Sequence, residues 1–225
     1  MATSSSYDYE SNRDEIIQDA LTNVGALGPN KTPTGNQTTH AARLLNRLVK
    51  SLDYEGLYLW RVIRRSFTTT SGDNSQDLAT DVLSVDEPVR LTHTGETQPL
   101  LLTPMTRDEF MSINRADSGT PTRYFFEKTL TTPTLYLYPT PDNSTDTIEY
   151  AAAIKSRDFD TAANTPDFPS HWNLMLVNGL SFLLAPGYNQ LQFAAFYREE
   201  FERNKAALTQ QETEHGALRL VPWGY

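Results

Sequence analysis

Residues 172–184 read Trp172-Asn173-Leu174-Met175-Leu176-Val177-Asn178-Gly179-Leu180-Ser181-Phe182-Leu183-Leu184, a run without a charged side chain. Its large apolar residues recur at helical spacing: Trp172, Met175, Leu176, Leu180, Leu183 and Leu184. Pro169 suits the first turn of a helix, and Ala185-Pro186-Gly187 ends the pattern. A helix that is apolar nearly all round is typical of a protein interior, so we predict that this helix is central.

A second, more polar helix is predicted to follow, over residues 189–214. The residues expected to face inward are Leu191, Ala194, Ala195, Tyr197, Phe201 and Leu208. On the exposed face, Glu199 with Arg203 and Glu202 with Lys205 have the spacing of helical ion pairs.

Two helices are predicted near the N-terminus. Ser11 is the expected N-cap of the first, whose apolar residues are Ile16, Ile17, Ala20, Leu21, Val24 and Leu27. Thr38 or Thr39 is the expected cap of the second, whose stripe is Ala41, Leu44, Leu45, Leu48, Val49 and Leu52. We expect the four helices to form one bundle, with a core that includes Leu21, Val24, Leu45, Leu48, Trp172, Met175, Leu180, Leu183 and Phe201.

Between these helix pairs the composition turns to Thr, Val, Tyr and Phe, which favours strands. Strands are predicted over 59–70, 81–92, 97–103, 123–128, 134–138 and 147–154, with one short helix capped by Thr106. Turn residues between them indicate an antiparallel meander or small sandwich.

The predicted fold class is therefore α+β: a helical bundle from both ends of the chain, an inserted antiparallel β-rich region and an extended C-terminal arm. The predicted boundaries are 1–12 for a flexible N-terminus, 13–56 with 168–215 for the bundle, 57–167 for the insertion and 216–225 for the arm. The arm is apolar and aromatic and follows Gly216, which favours contact with a partner surface.

Composition excludes several functions. The 225 residues include 28 acidic and 19 basic side chains, a net charge of −9, whereas a protein that reads nucleic-acid sequence is usually basic. With no cysteine, disulfide and zinc-thiolate chemistry are excluded, and an intracellular origin fits best. No leader is evident, and no apolar run approaches the roughly 18 residues of a membrane span, so we expect a soluble protein without a membrane partner.

No sequence pattern indicates catalysis, a metal or a cofactor. The four histidines, His40, His93, His171 and His215, are scattered, and none has a second histidine at helical spacing. Asp73, Ser75 and Asp77 alternate as calcium ligands do, but a simple turn is the favoured interpretation. The acids that could serve glycoside cleavage have capping or solvation roles instead: Asp14, Glu15, Glu109, Glu199 and Glu200. The glycosylation sequons at Asn30, Asn36 and Asn143 are expected by chance in a Thr-rich chain.

Aromatic side chains in the β-rich region leave two interpretations open. They could stack on sugars or bases, or they could pack between strands, which we favour because they alternate along the predicted strands. They are Tyr54, Tyr58, Trp60, Phe67, Tyr124, Phe125, Tyr136 and Tyr138.

Six blocks together resemble the head-to-tail adaptor, or tail accessory factor, of short-tailed bacteriophages of the P22 type. They are residues 19–28 (Asp-Ala-Leu-Thr-Asn-Val-Gly-Ala-Leu-Gly), 56–60 (Gly-Leu-Tyr-Leu-Trp), 119–124 (Gly-Thr-Pro-Thr-Arg-Tyr), 135–141 (Leu-Tyr-Leu-Tyr-Pro-Thr-Pro), 168–172 (Phe-Pro-Ser-His-Trp) and 184–188 (Leu-Ala-Pro-Gly-Tyr). The likeness runs from about residue 14 to about residue 201 and is poorest over 71–104 and the last residues.

This resemblance implies a non-enzymatic virion protein, located in the neck, that forms a dodecameric ring beneath the portal protein and extends the channel through which double-stranded DNA passes. Its other partners would be tail nozzle or tail tubular proteins, and no cofactor is implied. The arm would dock on the portal through Leu218, Leu220, Val221, Pro222, Trp223 and Tyr225. The alternative function, a cell-wall-degrading or glycan-binding virion component, has no matching catalytic motif here.

Overall fold

A computed structural model describes residues 9–28, 31–53, 61–114 and 116–211. The chain divides into two compact units, a helical unit (Met1–Leu59 with Ser156–Tyr225) and a sheet unit (Trp60–Lys155). Several predictions fall outside the described residues: the arm 216–225, most of the N-terminal segment 1–12, and Asn30, Tyr54, Tyr58, Trp60 and His215.

Five helices and seven strands make up the described chain. In order they are α1 (Arg13–Asn23), α2 (Gly35–Leu52), β1 (Val62–Thr68), β2 (Ser75–Asp77), β3 (Val82–Thr92), β4 (Leu100–Pro104), α3 (Arg107–Ser112), β5 (Arg123–Glu127), β6 (Thr134–Tyr138), β7 (Thr147–Ile154), α4 (Asn173–Leu184) and α5 (Leu191–Gln211). Short 3-10 turns, Ser170–Trp172 and Ala185–Tyr188, flank α4.

Helix α1 is capped by Asn12, so the prediction of Ser11 as its N-cap was wrong. The Asn12 side chain accepts a hydrogen bond from Glu15 N (3.0 Å), and the Glu15 carboxylate accepts one from Asn12 N (2.9 Å). A reciprocal capping box needs Glu or Gln three residues after the cap, and Asn12 has Glu15 at that spacing, whereas Ser11 has the shorter Asp14.

Helix α2 begins a turn earlier than predicted. Thr34, not Thr38 or Thr39, is the cap, in a capping box with Gln37. The hydroxyls of Thr38 and Thr39 instead donate to the carbonyls of Thr34 and Gly35, as threonines inside a helix do.

Helix α4 packs against α1, α2 and α5, which confirms that the apolar run is central. Gly179 shows how close the approach is. A β-carbon there would lie 2.8 Å from Leu48 Cδ2 of α2 and 2.8 Å from Phe201 Cδ2 of α5. Because those distances are shorter than side-chain contacts allow, any larger residue at position 179 would force Leu48 and Phe201 to shift.

Residues 156–167, predicted to belong to the inserted region, belong to the helical unit. Hydrogen bonds to α2 and its end hold this segment: Phe159 N donates to Asn46 Oδ1 (2.8 Å), and Ser156 N donates to the Asp53 carboxylate (3.2 Å). Phe159 is buried as well. The long-range pairing of an irregular segment leaves no periodic pattern in the sequence.

The sheet unit contains one seven-stranded sheet with the order β1-β7-β3-β4-β5-β6-β2. This order is not the predicted meander, because β1 pairs with β7 and β2 with β6. One pair departs from the predicted antiparallel arrangement: β4 and β5 are parallel, and α3 lies in the crossover between them. Strand β2 was not predicted, since its three residues are all polar.

Apolar clusters lie on both faces of this sheet. The larger one includes Val89, Leu91, Leu135, Ile148 and Tyr150. On the other face α3 inserts Phe110 against Phe125, with ring centroids 4.6 Å apart, and Tyr136 and Tyr138 complete that cluster. The sheet is therefore an independently packed layer with its own core.

An ion pair in the sheet unit predicts a pH effect on stability. Arg65 donates two hydrogen bonds to Asp81 (2.9 and 2.7 Å), which lowers the pKa of Asp81 below its ordinary 3.8. A carboxyl with a depressed folded-state pKa stabilises the fold above its unfolded pKa, and this contribution is lost as pH falls through the folded pKa.

We therefore expect Asp81→Asn to lower the free energy of unfolding at pH 7 by about 1 kcal/mol or less, because Asp81 is partly exposed. Denaturant titration at pH 7 and at pH 2 measures the effect, with Asp108→Asn, in the exposed first turn of α3, as a control. The difference between Asp81→Asn and the wild type should shrink as the pH falls below 3.8 and be smaller at pH 2 than at pH 7. A difference as large at pH 2 as at pH 7 would contradict the role of the ionised carboxylate.

Candidate functional site

Most of the acidic side chains considered for catalysis are committed to local structure. Asp14 lies 2.8 Å from Arg13, and Glu15 caps α1. Glu109 accepts hydrogen bonds from Thr106 N (2.7 Å) and Thr106 Oγ1, and the backbone bond lowers the pKa of Glu109. Glu200 pairs with Arg203. For Glu109 this lowered pKa favours the ionised form, the reverse of what a general acid needs.

One of the two ion pairs predicted on α5 is present. Lys205 and Glu202 lie 2.9 Å apart, as predicted. Arg203 contacts Glu200 instead of Glu199, at a spacing of three residues that is equally open to it on a helix. Both pairs stabilise a solvated helix face and form no reactive group.

His93 takes part in a hydrogen-bonded turn. Its Nδ1 lies 2.8 Å from Asp146 Oδ2, which also accepts a hydrogen bond from Asn143 Nδ2 (2.9 Å). Thr69 N donates to the Asp146 carbonyl at 2.8 Å. This network fixes the turn before β7. Among the described residues, no group of three or more His, Asp or Glu side chains could hold a metal ion.

The acidic residues considered for calcium hold a turn and a strand instead. Asp73 Oδ1 accepts hydrogen bonds from Ser75 N and Ser75 Oγ, both at 2.9 Å. Asp77 Oδ1 accepts one from Thr134 Oγ1 at 2.9 Å. This agrees with the favoured interpretation of a simple turn.

The described aromatic residues of the sheet unit pack between elements. Tyr124 and Phe125 are buried, and burial raises the pKa of Tyr124 to about 12. Phe67 packs on Tyr150, and Tyr136 packs on Phe110. Tyr138 donates to Asp117 (2.6 Å), and this bond raises its pKa. Five of the eight aromatic residues considered for stacking on sugars or bases are described, and all five pack within the protein, as the favoured interpretation expected. They are Phe67, Tyr124, Phe125, Tyr136 and Tyr138.

Eight of the nine predicted bundle-core residues are buried: Leu21, Val24, Leu45, Leu48, Trp172, Met175, Leu180 and Phe201. The prediction for Leu183 was wrong, because it is only half-buried. It lies beside Leu44 and Phe182 in a groove of about 430 Å³ that α5 leaves open, with Arg47 and Lys205 among its lining residues.

A second cleft of about 460 Å³ lies between α1 and α4. Asp19 lines it, and burial together with the nearby Glu15 raises the pKa of Asp19. Asn173 is buried at its wall, and its Nδ2 has no hydrogen-bond partner within the described residues. Leu174, 63% exposed, lies at the same cleft. Ser11, Ser170 and His171 also line this cleft.

Large apolar side chains are exposed at the start of α5: Leu191, Phe193 and Phe196, which we call the α5 apolar patch. Leu191 and Ala195 were predicted to face inward, and both are exposed. The reason is that α4 covers only one side of α5, the side with Tyr197 and Phe201. The first charged residue of α5 is Arg198, so its first two turns carry no charge and only one polar residue, Gln192, a signal that could have revealed this patch.

Exposed aromatic and aliphatic side chains of this kind are typical of protein contact surfaces. The predicted portal-docking residues, 218–225, lie outside the described residues. Within the described helices, no segment is long and apolar enough to cross a membrane.

Comparison with protein families identifies a relationship over most of the chain. The family described as SU10 adaptor protein matches residues 11–221, which includes elements of both units. No curated protein matches the chain. Because the match covers far more than half of the 225 residues, the chain belongs to the SU10 adaptor protein family, a family of structural proteins of phages.

Proposed function

We propose that this protein is the head-to-tail adaptor of a short-tailed phage, a structural subunit of the virion neck. It would assemble as a dodecameric ring under the portal protein and offer its other end to tail nozzle or tail tubular proteins. The observation that carries the proposal is the family match over residues 11–221. The α5 apolar patch supports it, since an assembly subunit needs exposed apolar contact area.

The charge of the chain fits a channel for double-stranded DNA. With a net charge of −9, the chain can line a lumen with more acidic than basic side chains. Such a wall repels phosphates within a Debye length of about 8 Å at physiological salt. DNA would then pass without binding, as genome delivery requires.

We expect the ring to form on the portal, because each subunit is expected to make one head-to-tail contact with its neighbour. Identical subunits that each make one head-to-tail contact form a ring only if the rotation closes, and the portal can impose that rotation. We therefore expect the free chain to be a monomer of 25.4 kDa and the ring to form on the portal.

Sedimentation velocity of the chain alone, the portal alone and their mixture tests the proposal. We expect a monomer alone and, in the mixture, co-sedimentation to one adaptor copy per portal subunit. A mixture that sediments as the sum of its separate components would contradict the adaptor function. Digestion of peptidoglycan in a zymogram by the wild-type chain would favour the hydrolase alternative instead.

A further inference from the structure

The sheet unit ends on one side in strand β1, and half of its backbone groups point away from the sheet. Thr69 N donates to the Asp146 carbonyl at 2.8 Å, in register with the β1–β7 pairing. In an antiparallel ladder, hydrogen-bonded pairs alternate with non-bonded ones. Starting from Thr69 and moving two residues at a time along β1, the hydrogen-bonded pairs are Phe67 with Ile148 and Arg65 with Tyr150. The N–H and C=O groups of Arg64, Ser66 and Thr68 therefore face outward.

Within the part of the chain that the structure describes, nothing pairs with these outward groups. Strand β1 is seven residues long, its register with β7 is regular, and it contains no proline. The opposite edge, β2, has only three residues and carries Asp77. Because proteins usually shorten, bend or cover an edge strand, a long regular edge such as β1 is suited to pairing with another strand.

A cleft of about 290 Å³ runs beside this edge. Ser66 and Phe67 of β1 line one side, Gln76 and Asp77 of β2 line the other, and Leu78 and Tyr150 contribute apolar surface. Strands β1 and β2 are joined by a tight turn in which Asp73 N donates to the Thr70 carbonyl at 3.1 Å. An extended segment laid along β1 would therefore lie between the two strands, with apolar side chains on Leu78 and Tyr150.

Charge indicates what kind of segment fits. Arg64 on β1, Arg90 on β3 and Glu149 on β7 line a small recess on the sheet, so basic side chains outnumber acidic ones there. Neither guanidinium makes an ion pair within the described residues. Arg65, by contrast, is already paired with Asp81. A segment with a carboxylate beside Arg64 would complete this surface, and a chain with 28 acidic side chains has such groups in surplus.

We propose that, in the assembled ring, an extended acidic segment of the neighbouring copy adds a strand to the outer edge of β1. This inference rests on the proposed function, because it takes a ring of identical subunits as given. Each copy exposes the same edge, and a head-to-tail contact covers every such edge once the ring closes.

Amide hydrogen exchange tests this pairing with controls inside the same strand. In the free chain, the amides of Arg64, Ser66 and Thr68 should exchange fast, while those of Arg65 and Phe67, bonded to β7, should exchange slowly. In the portal-bound ring the three outward amides should slow by at least about tenfold. Exchange that stays fast in the ring would overturn the inference, and Arg64 would then protect a free edge by its charge alone.

A proline substitution separates strand addition from general packing. Ser66→Pro removes only an outward N–H, so β1 should remain paired with β7, whereas Ser66→Ala keeps that N–H and serves as the matched control. We expect single copies of Ser66→Pro to bind the portal but fail to complete the ring, with Ser66→Ala unchanged. Completed rings from a folded Ser66→Pro chain would overturn the inference.

The portal-binding results of these variants distinguish failure of the strand-pairing inference from failure of the proposed function. Loss of portal binding by even a single folded Ser66→Pro copy would mean that the portal, and not a second copy, supplies the strand, and would overturn the inference. Wild-type chain that does not bind the portal at all would refute the proposed function itself. If Ser66→Pro fails to fold, the exchange rates of the wild-type ring decide alone.

Discussion

Replacing Trp172 by alanine is expected to lower the free energy of unfolding by about 3–5 kcal/mol. Trp172 is fully buried at the start of α4, and its ring packs on Phe168 with centroids 5.7 Å apart. Truncation removes the largest fully buried side chain among the described residues and leaves a cavity, because the surrounding helices cannot collapse fully into it. Urea denaturation followed by circular dichroism measures the loss.

Leu174→Ala is the matched control, because Leu174 lies two residues further along, in the first turn of α4, but is 63% exposed. A change within about 0.5 kcal/mol is expected there. Equal effects of the two substitutions would contradict the assignment of Trp172 to a packed core.

Removing residues 216–225 is expected to abolish portal binding while the fold persists. The deleted segment contains five apolar candidate anchors with Pro222, and aromatic anchors carry a large share of interface energy. Every described core residue lies before the cut, so the free energy of unfolding should change little. Sedimentation with the portal measures binding, and urea denaturation measures stability.

Single substitutions refine the same prediction. Trp223→Ala should weaken portal binding by at least about thirtyfold, the effect of losing a hot spot of about 2 kcal/mol. Arg219→Ala, which leaves the apolar anchors in place, should bind as the wild type does. Unchanged binding after removal of the whole segment would contradict the docking role of the arm.

Periodicity in the sequence predicted the helices well, because each buries a continuous stripe. The run from Trp172 to Leu184 is so apolar that only a central position suits it, and the contacts of α4 agree. Ile16, Ile17, Ala20 and Leu21 of α1 are fully buried, as their spacing predicted. Six of the seven strands were likewise located from β-branched and aromatic runs.

Features set by long-range geometry were not predicted. The pairing of β1 with β7 joins residues about 80 positions apart, and no local pattern encodes it. Strand β2 is polar and exists because β6 supplies its hydrogen bonds. Helix stripes also overstate burial: Leu191 and Ala195 lie on α5 where no neighbouring helix covers them, and Leu183 borders a groove.

Some features of the candidate surfaces could be predicted from local sequence, and others depend on long-range geometry. Composition alone argued against nucleic-acid reading and thiol chemistry, and the apolar segment after Gly216 indicated a partner. The α5 apolar patch was visible in sequence as two turns without a charge. The free edge of β1 was not, since it depends on which strands are neighbours in the sheet.

An electron cryo-microscopy reconstruction of the virion neck tests the central claim most directly. We expect a dodecameric ring of this chain against the portal, with an additional strand from the neighbouring copy along Arg64, Ser66 and Thr68. A neck in which the portal contacts the tail proteins directly, with no density for this chain between them, would contradict it.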